Sequence, residues 1–492
     1  MDNLISIPLL IFLPMFLSFF VLSPLFTSNE TTIRRFVKTF CSIHFLYSIL
    51  ALVLYSPAKS YISQIHFFGL DWIQALGIKF VFEIDSIRLI LIILTSFIFF
   101  LASLASKRVI RKNHKIYYSM FLLLMSAILG IFSANDMFVF FLFWELELIP
   151  AYFLIGGDYG KEYNDNAKKS AIKFVLFTFL GSMFMLLGIL LLHFYNYTTT
   201  GILSATFNDI FTASLPVGMQ LFISIMFLIG FGVKLPIIPL HTWLPDAHTN
   251  APTPISMVLA GVLLKTGAYG IFRFNYEMLP EAFKIIAPIL AILALINIIY
   301  TAFVAYAQTD IKRIVAYSSI SNMGLILLGL CAYNQLGVSA SVFHMVAHGL
   351  VTCGLFMICG IVYQRFKTRN INELTGIASV MPRLFAFALL IVLASIGVPL
   401  FAPFISEILT IMSAFFSELS LVLKFCSVFA LPLLILSSCY MLKFLHLSFY
   451  GEQKSGLENI DDISTHEFLI LISIVVGLIL FGIFPNGILG VI

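Results

Sequence analysis

The sequence is poor in charge. Asp, Glu, Lys and Arg together make up 11% of the 492 residues, whereas hydrophobic residues make up 60% and the mean hydropathy is +1.03. Soluble domains carry roughly 25% charged residues, so this composition excludes a soluble protein and indicates one that crosses a membrane many times. With about 20 apolar residues per span plus connections, the length leaves room for roughly fourteen transmembrane helices.

Three further absences narrow the function. The six cysteines are scattered through apolar runs without a CxxC pair or a cluster-ligand spacing. No GxGxxG or P-loop pattern follows a strand. We therefore expect no cofactor, no metal and no redox centre in this chain. The net charge of +4 is spread thinly through short loops, which leaves the lipid bilayer as a partner and excludes nucleic acid.

Lysine and arginine concentrate in alternate loops, which predicts the orientation. The loop after the third predicted span, for example, contains Lys107, Arg108, Arg111, Lys112 and Lys115. By the positive-inside rule such loops face the cytoplasm or matrix, and an even number of spans then places both termini on the outer side. We expect the first span to be retained, residues 56–85 to form an outer hairpin or interfacial segment, and Glu162 to be solvated.

One apolar helix is interrupted inside the membrane. The sequence GFGVKLPIIPLHTWLPDAHTN, at residues 230–250, places Lys234 in an apolar run, with Pro236 and Pro239 directly after it. The prolines remove backbone donors, so the helix must break there. A lysine at the bilayer centre costs about 2.5 to 3.5 kcal/mol, and a broken helix with a buried amine is typical of a transport site. The alternative is a helix that ends at Leu235 while Lys234 extends to the interface.

A second interruption lies in the distal half. Gly397, Pro399 and Pro403 break another apolar run, and Glu407 follows. Each break falls in the fourth span of a group of five, which favours an all-α polytopic membrane protein with about 14 transmembrane helices and two inverted five-helix repeats. The predicted parts are N-terminal helices 1–116, a first repeat 117–275, a second repeat 283–448 and a C-terminal helix 466–492.

Several other ionisable side chains fall inside predicted spans. They are Glu145 and Glu147 in FLFWELELIP, together with Lys173, Lys265 and His348. Each one alone could simply pair with a neighbouring charge. Five or six such groups would together cost roughly 12 to 15 kcal/mol unless they pair or hydrate one another. The pattern therefore predicts a hydrated chain that relays protons.

The histidines do not indicate a zinc site. His344 and His348 are spaced i, i+4, but the Glu of an HExxH motif does not accompany them. His241, Asp246 and His248 fall at the first break, where a polar hinge is the simpler interpretation.

Four segments resemble the antiporter-like membrane subunits of respiratory complex I, and most closely the subunit M or chain 4 branch of that family. They are FLFWELELIPAYFLI, VKLPIIPLHTWLPDAHTNAPTPISMVLAGVLLKTGAYGIFRF, AQTDIKRIVAYSSISNMG and MVAHGLVTCGLF, in family order between residues 130 and 370. The resemblance implies fourteen transmembrane helices with two inverted repeats, each containing a broken helix.

The resemblance also implies the site. The principal family positions are Glu145, Lys234, Lys265 and Glu407, and His241 and His348 fall on family histidine positions. Lys173 joins the predicted site because it lies inside a span. Asn322 stands where the family usually has histidine, and an amide cannot be protonated near neutral pH, although it can hydrogen-bond a water chain. The second break also departs from the family's Pro-Gly-Thr/Ser pattern. An acidic residue at position 407, where sister subunits have lysine, favours the subunit M branch.

The function implied is that of a proton-translocating membrane-arm subunit of an NADH-quinone or ferredoxin-plastoquinone oxidoreductase. NADH, FMN, Fe-S clusters and quinone would then belong to partner subunits, and the neighbours would be other antiporter-like and small membrane subunits. The membrane would be a bacterial or mitochondrial inner membrane or a thylakoid. The alternatives are an Mrp-type cation/proton antiporter subunit, the membrane subunit of an energy-converting hydrogenase, and a structural spacer.

Overall fold

A computed structural model gives the fold for residues 6–54, 65–160, 162, 164–210, 215–452 and 460–492. The chain is mostly helical, because backbone groups inside a membrane have no water partners and must bond within their own segment. The helices are α1 Ile7–Leu22, α2 Glu30–Leu54, α3 Ser86–Val109, α4 His114–Ser133, α5 Met137–Leu146, α6 Leu148–Gly156, α7 Ala167–Thr200, α8 Val217–Lys234, α9 Trp243–Asn250, α10 Thr253–Val258, α11 Leu264–Gly270, α12 Pro280–Ala307, α13 Ile311–Cys331, α14 Gln335–Phe366, α15 Ile377–Val380, α16 Pro382–Ser395, α17 Ala402–Phe415, α18 Leu421–Ala430, α19 Leu433–Phe449, α20 Thr465–Ile483 and α21 Asn486–Leu489.

The helices fit a protein that crosses a membrane many times. Within the described ranges, 12 helices or helical runs are long and apolar enough to span, and α1, α16 and α17 are shorter apolar helices. This confirms the predicted all-α polytopic fold. The exact number of spans, the inverted repeats, the four-part division and the side of the termini stay predictions.

A β-hairpin precedes α3. Strand β1, Ile65–Ile73, pairs antiparallel with strand β2, Ile78–Ile84. Gly77, in the connecting turn, has φ of 62°, and a Cβ there would lie 2.0 Å from a backbone carbonyl oxygen, so glycine is required. Of the two interpretations of residues 56–85 the hairpin is confirmed for the described part, while residues 55–64 lie outside it.

The helical segments most completely surrounded by protein are those that carry Lys265 and His348. The helical run Thr253–Glu277 and helix α14 are surrounded by protein along their membrane-crossing length. Peripheral helices instead turn apolar side chains outward, as Leu180 of α7 and Ile289 of α12 do. Lys265 and His348 lie on these enclosed segments and therefore have protein neighbours instead of lipid. This lowers the cost of placing them in the membrane, because hydrocarbon cannot hydrate a charge.

Both predicted helix breaks are present. Helix α8 ends at Lys234 and α9 begins at Trp243, while α16 ends at Ser395 and α17 begins at Ala402. In the run between α10 and the start of α12, two π-helical segments, Leu259–Leu263 and Ile271–Glu277, flank α11. Such wide turns occur frequently at functional sites.

Candidate functional site

Side chains hydrogen-bond to the backbone of the first break. The amide N–H of Ile238 donates to Asn297 Oδ1 at 2.9 Å, and Asn297 Nδ2 donates to the carbonyl of Pro236 at 3.1 Å. The indole N–H of Trp243 donates to the carbonyl of Val233 at 2.9 Å. Backbone groups released by the prolines are therefore satisfied by protein, as a break inside a membrane requires.

Lys234, at the end of α8, forms an ion pair with Glu147, and both side chains are completely buried. The ring centroid of Trp144 lies 4.4 Å from the Lys234 ammonium, where an aromatic face attracts a desolvated cation. The alternative in which Lys234 extends to the membrane interface is therefore wrong. Glu147 lies between α5 and α6 in a helical backbone conformation with i to i−4 hydrogen bonds on both sides, so the pair is formed from one continuous helical run.

The partner predicted for Lys234 from the family position was Glu145, whereas the residue in direct contact with the lysine is Glu147. Glu145 is half-buried, and its Oε1 has no hydrogen-bond partner among the described residues. Its side chain lies beside Ser182 of α7 and still interacts electrostatically with Lys234. Two carboxyl groups therefore face one lysine, and the nearer one is the residue that the family position did not indicate.

Lys265, on α11, is bonded to α14. Its ammonium donates to Nδ1 of His348 at 2.8 Å and also to the carbonyl of Ala260 in the π-helical segment before it. A charged Lys265 donates this bond, and Nδ1 of His348 is then the acceptor. The structure thus brings together two residues that the sequence separates by 83 positions.

His344 extends this group toward the second break. Its Nδ1 lies 2.8 Å from Ser406 Oγ, and its Nε2 lies 3.2 Å from Asn322 Oδ1. The His344 and His348 rings stack with centroids 6.2 Å apart. Asn322 therefore serves as a hydrogen-bond partner of an imidazole. Sequence reasoning considered His344 only as a zinc ligand and missed Ser406, whose position immediately before Glu407 was the available signal.

Glu407 lies at the end of this line. It is buried on α17, and its Oε2 has no hydrogen-bond partner among the described residues. A cavity of about 10 Å³ lies nearby, lined by Ser318, Asn322, His344, His348, Val351, Thr352, Ser395 and Pro403. A volume of that size holds about one water molecule, and hydroxyl, amide and imidazole groups supply its partners.

A polar vestibule lies beside the first break, at the end of the bundle where the α6–α7 connection runs. Lys173 donates to Asp246 and to the carbonyl of Thr242, both at 2.7 Å. The vestibule has a volume of about 420 Å³ and is lined by Asn166, Lys169, Ser170, Lys173, Asp246, Thr249, Asn250, Asp310, Arg313 and Arg369. His241 is nearly buried at the break, and its Nδ1 has no hydrogen-bond partner among the described residues.

A second buried ion pair was missed by sequence reasoning. Glu162, predicted to be solvated, is buried and pairs with Lys312 at 3.3 Å. Glu162 also accepts from the backbone N–H of Thr253 at 2.6 Å, and Lys312 donates to the carbonyl of Ala251 at 3.0 Å. The prediction failed because the loop folds back over the ends of α9 and α10, where the carboxylate satisfies a free helix N–H.

The site can hold and move charge inside a low-dielectric interior. A Cβ at Gly267 of α11 would lie 2.7 Å from the backbone N of Leu235, so the end of α8 packs directly on the helix that carries Lys265. No direct hydrogen bond joins the Lys234 and Lys265 groups within the described ranges, and water would complete such a path. Across those ranges, no group of three or more His, Cys, Asp and Glu side chains could hold a metal ion.

Two broken helices and buried ionisable groups between them define a membrane-embedded translocation subunit, and the comparison with known families agrees. Residues 134–433 match the family described as "NADH:quinone oxidoreductase/Mrp antiporter, TM". This is more than half of the chain, which therefore belongs to that family.

Two relatives indicate the branch. NADH-quinone oxidoreductase subunit M of Escherichia coli K12 is 37% identical over 426 residues, which cover 86% of this chain and 82% of that protein. NAD(P)H-quinone oxidoreductase chain 4 1 of Picosynechococcus is 38% identical over 420 residues, covering 84% and 77%. The similarity to the subunit M or chain 4 branch is confirmed.

Solved structures agree on the fold. A chain of respiratory complex I from Thermus thermophilus with bound NADH superposes with a TM-score of 0.87 at 27% identity, covering 99% of this chain and 98% of that one. A chain of the Mrp complex from Dietzia gives 0.87 at 18% identity, covering 99% and 95%. The second match shows the shared fold alone.

Proposed function

We propose that the chain is a proton-translocating membrane-arm subunit of an NADH-quinone or ferredoxin-plastoquinone oxidoreductase. It would be a multi-pass protein of a bacterial or mitochondrial inner membrane or of a thylakoid. Its neighbours would be other antiporter-like and small membrane subunits. NADH, FMN, the Fe-S clusters and quinone would be held by partner subunits, which would supply the energy.

The observation that carries the proposal is a line of buried polar groups between two helix breaks. Lys234 and Glu147 lie at the first break, Lys265 and His348 lie in the enclosed centre, and Glu407 follows the second break. Ionisable residues at membrane depth are costly and mark proton pathways when they face one another inside a bundle. The relatives named as subunits of quinone oxidoreductases support the same assignment.

In this proposal, each group of buried residues carries out one part of the proton transfer. Water in the vestibule beside Lys173 would supply protons to the Lys234 group. Lys265 and His348 would pass them through the centre, and His344 with Ser406 would connect that centre to Glu407. Moving one charge against 100 mV costs about 2.3 kcal/mol. Changing the partner of one buried ammonium involves energies of that size, since two charges 4 Å apart interact by about 4 kcal/mol at an effective dielectric constant of 20.

An Mrp-type antiporter subunit is the second candidate, because the same fold occurs in the Mrp complex. The higher identity to quinone oxidoreductase subunits favours the first candidate. Purification of the chain with its neighbours separates the two, because Fe-S subunits would accompany it only in an oxidoreductase.

Lys265→Met in the assembled complex tests the proposal. In reconstituted vesicles, we expect protons pumped per electron to fall by the share that this subunit contributes, since loss of a positioned acid–base group should slow proton transfer through it roughly 100-fold. Lys284→Met is the matched control, because Lys284 is a peripheral lysine paired with Glu281 at 2.8 Å. An unchanged proton-to-electron ratio in Lys265→Met, with quinone reduction intact, would contradict the proposal.

A further inference from the structure

Lys234 has two carboxyl neighbours on one membrane-crossing segment. Glu147 contacts it directly, and Glu145, two residues earlier, interacts with it electrostatically from beside Ser182. Apart from their mutual contact, neither the ammonium nor the Glu147 oxygens has a hydrogen-bond partner among the described residues. The pair is thus held by its own attraction and by the Trp144 ring, without the side-chain and backbone bonds that would fix it in one arrangement.

The charges of this group do not balance if both carboxyl groups are ionised. One positive and two negative charges leave a net charge of −1 inside the membrane. The other nearby lysine, Lys173 on α7, already pairs with Asp246 at 2.7 Å. Since an uncompensated charge at membrane depth is strongly disfavoured, a charged Lys234 makes the group neutral when one of the two glutamates carries a proton. The contact of Glu147 with the ammonium corresponds to the arrangement in which Glu147 is the carboxylate and Glu145 the acid.

We propose that Glu145 and Glu147 share Lys234 and alternate as its ionised partner, so that the group carries one proton in each of two neutral states. The inference rests on the proposed function and specifies its first step. In one state Glu147 is the carboxylate and Glu145 the acid; in the other the roles are exchanged and the ammonium has turned to Glu145.

Conversion between the states moves one proton through the group and turns the ammonium from one glutamate to the other. The O–H bond of Glu145 breaks and its proton passes to water toward Lys265, while Glu147 takes a proton from water on the vestibule side. Glu147 is two residues closer than Glu145 to the loop that leads to the vestibule, which is about 3 Å along a helix.

The test compares four variants of the assembled complex: Glu145→Gln, Glu147→Gln, the double variant, and a triple variant that adds Lys234→Gln. Each single variant leaves Lys234 one carboxylate, so we expect both to assemble while proton transfer through this subunit slows roughly 100-fold and pumping per electron falls by this subunit's share. The double variant leaves an unpaired lysine and should fail to assemble. The triple variant is neutral and should assemble again without this subunit's share of the pumping.

Infrared spectroscopy of the same complexes adds a measurement that a structural role would not affect. The carbonyl band of the buried protonated carboxylic acid should disappear in Glu145→Gln, where the remaining Glu147 is ionised, and also in Glu147→Gln, where Glu145 becomes the ionised partner. Peripheral Glu281→Gln is the control and should change neither assembly nor pumping.

Several results would overturn the inference. The first is that Glu145→Gln pumps normally while Glu147→Gln does not. Glu147 would then be the sole partner of Lys234. The second is that either single variant fails to assemble. The remaining carboxylate would then be unable to replace the missing one as the partner of Lys234. Full assembly of the double variant is a third. If Lys265→Met also pumps normally, the proposed function itself fails; if Lys265→Met loses pumping, only the sharing of Lys234 is rejected.

Discussion

The break between α8 and α9 is braced by side chains, whereas the break between α16 and α17 is held by its own backbone. Asn297 and Trp243 bond to the first break. At residues 396–401, the bonds within the described part of the chain are local backbone ones, such as Gly397 N–H to the carbonyl of Ala394 at 3.1 Å. Leu400, half-exposed, has φ of 97° there.

The difference shows two ways of ending a helix inside a membrane. At the first break, polar side chains replace the lost helical bonds and fix the position of Lys234 relative to α12. At the second, the chain turns tightly and rests on α20, where a Cβ at Gly482 would lie 2.0 Å from the carbonyl oxygen of Leu400. The first break should therefore be sensitive to loss of hydrogen bonds, and the second to changes in packing.

Asn297→Leu should have the largest effect on stability. The substitution keeps the side-chain size but removes the partners of the buried Pro236 carbonyl and of the half-buried Ile238 N–H, at about 1 to 3 kcal/mol for a fully buried group. We expect a clear fall in the thermal unfolding midpoint of the purified complex, together with less pumping. Asn372→Leu, at an exposed position, is the control. Equal midpoints for the two variants would show that the first break does not depend on Asn297.

Gly482→Ala tests the second break. The new Cβ would overlap the Leu400 carbonyl, a backbone group that cannot turn aside, so the turn must shift at a cost of about 1 to 3 kcal/mol. Gly477→Ala on the same helix is the matched control, since its nearest neighbour is the end of the Leu350 side chain at 3.3 Å. The measurement is the thermal unfolding midpoint of both complexes. A larger loss of stability in Gly477→Ala than in Gly482→Ala would contradict the packing argument.

The sequence predicted where both helices break, because proline and lysine inside an apolar run have few structural interpretations. It could not predict the brace at Asn297, since an asparagine in an apolar helix gives no sign of the distant carbonyl that it will meet. The direct contact of Lys234 could not be predicted for a related reason. Glu145 and Glu147 are two residues apart on one helical run, and which of them contacts the lysine depends on how that run packs against α8.

Glu162 shows the same limit for loops. Its surroundings in the sequence are polar, which predicts exposure, but the fold places it at the free N-terminal end of α10 and against Lys312. Lys265 and His348 were found because membrane-embedded ionisable residues stand out by composition. Their mutual contact required the packing of α11 on α14, which no local pattern contains.

Trp243→Phe should have a smaller effect at the first break. Phenylalanine keeps most of the buried ring, which packs on Phe174 with centroids 5.1 Å apart, but it cannot donate to the Val233 carbonyl. A hydrogen bond of this kind contributes about 0.5 to 1.5 kcal/mol. Trp72→Phe, where the tryptophan is half-exposed, controls for ring size in the thermal unfolding assay. A loss as large as that of Asn297→Leu would mean that Trp243 is the principal brace.

Leu400→Gly should produce the smallest effect and the opposite sign. A leucine at positive φ costs about 1 to 2 kcal/mol, while glycine adds about 0.5 to 1 kcal/mol of conformational entropy to be lost on folding, so we expect a net gain between zero and about 1.5 kcal/mol. Leu240→Gly in the first break is the comparison, because Leu240 is not among the described non-glycine residues with positive φ. There the entropic cost is joined by the loss of a partly buried side chain that packs against the core, and the complex should become less stable. Opposite shifts of the two unfolding midpoints would show that the backbone of the second break is strained where that of the first is not, and a loss of stability in both variants would remove this part of the contrast.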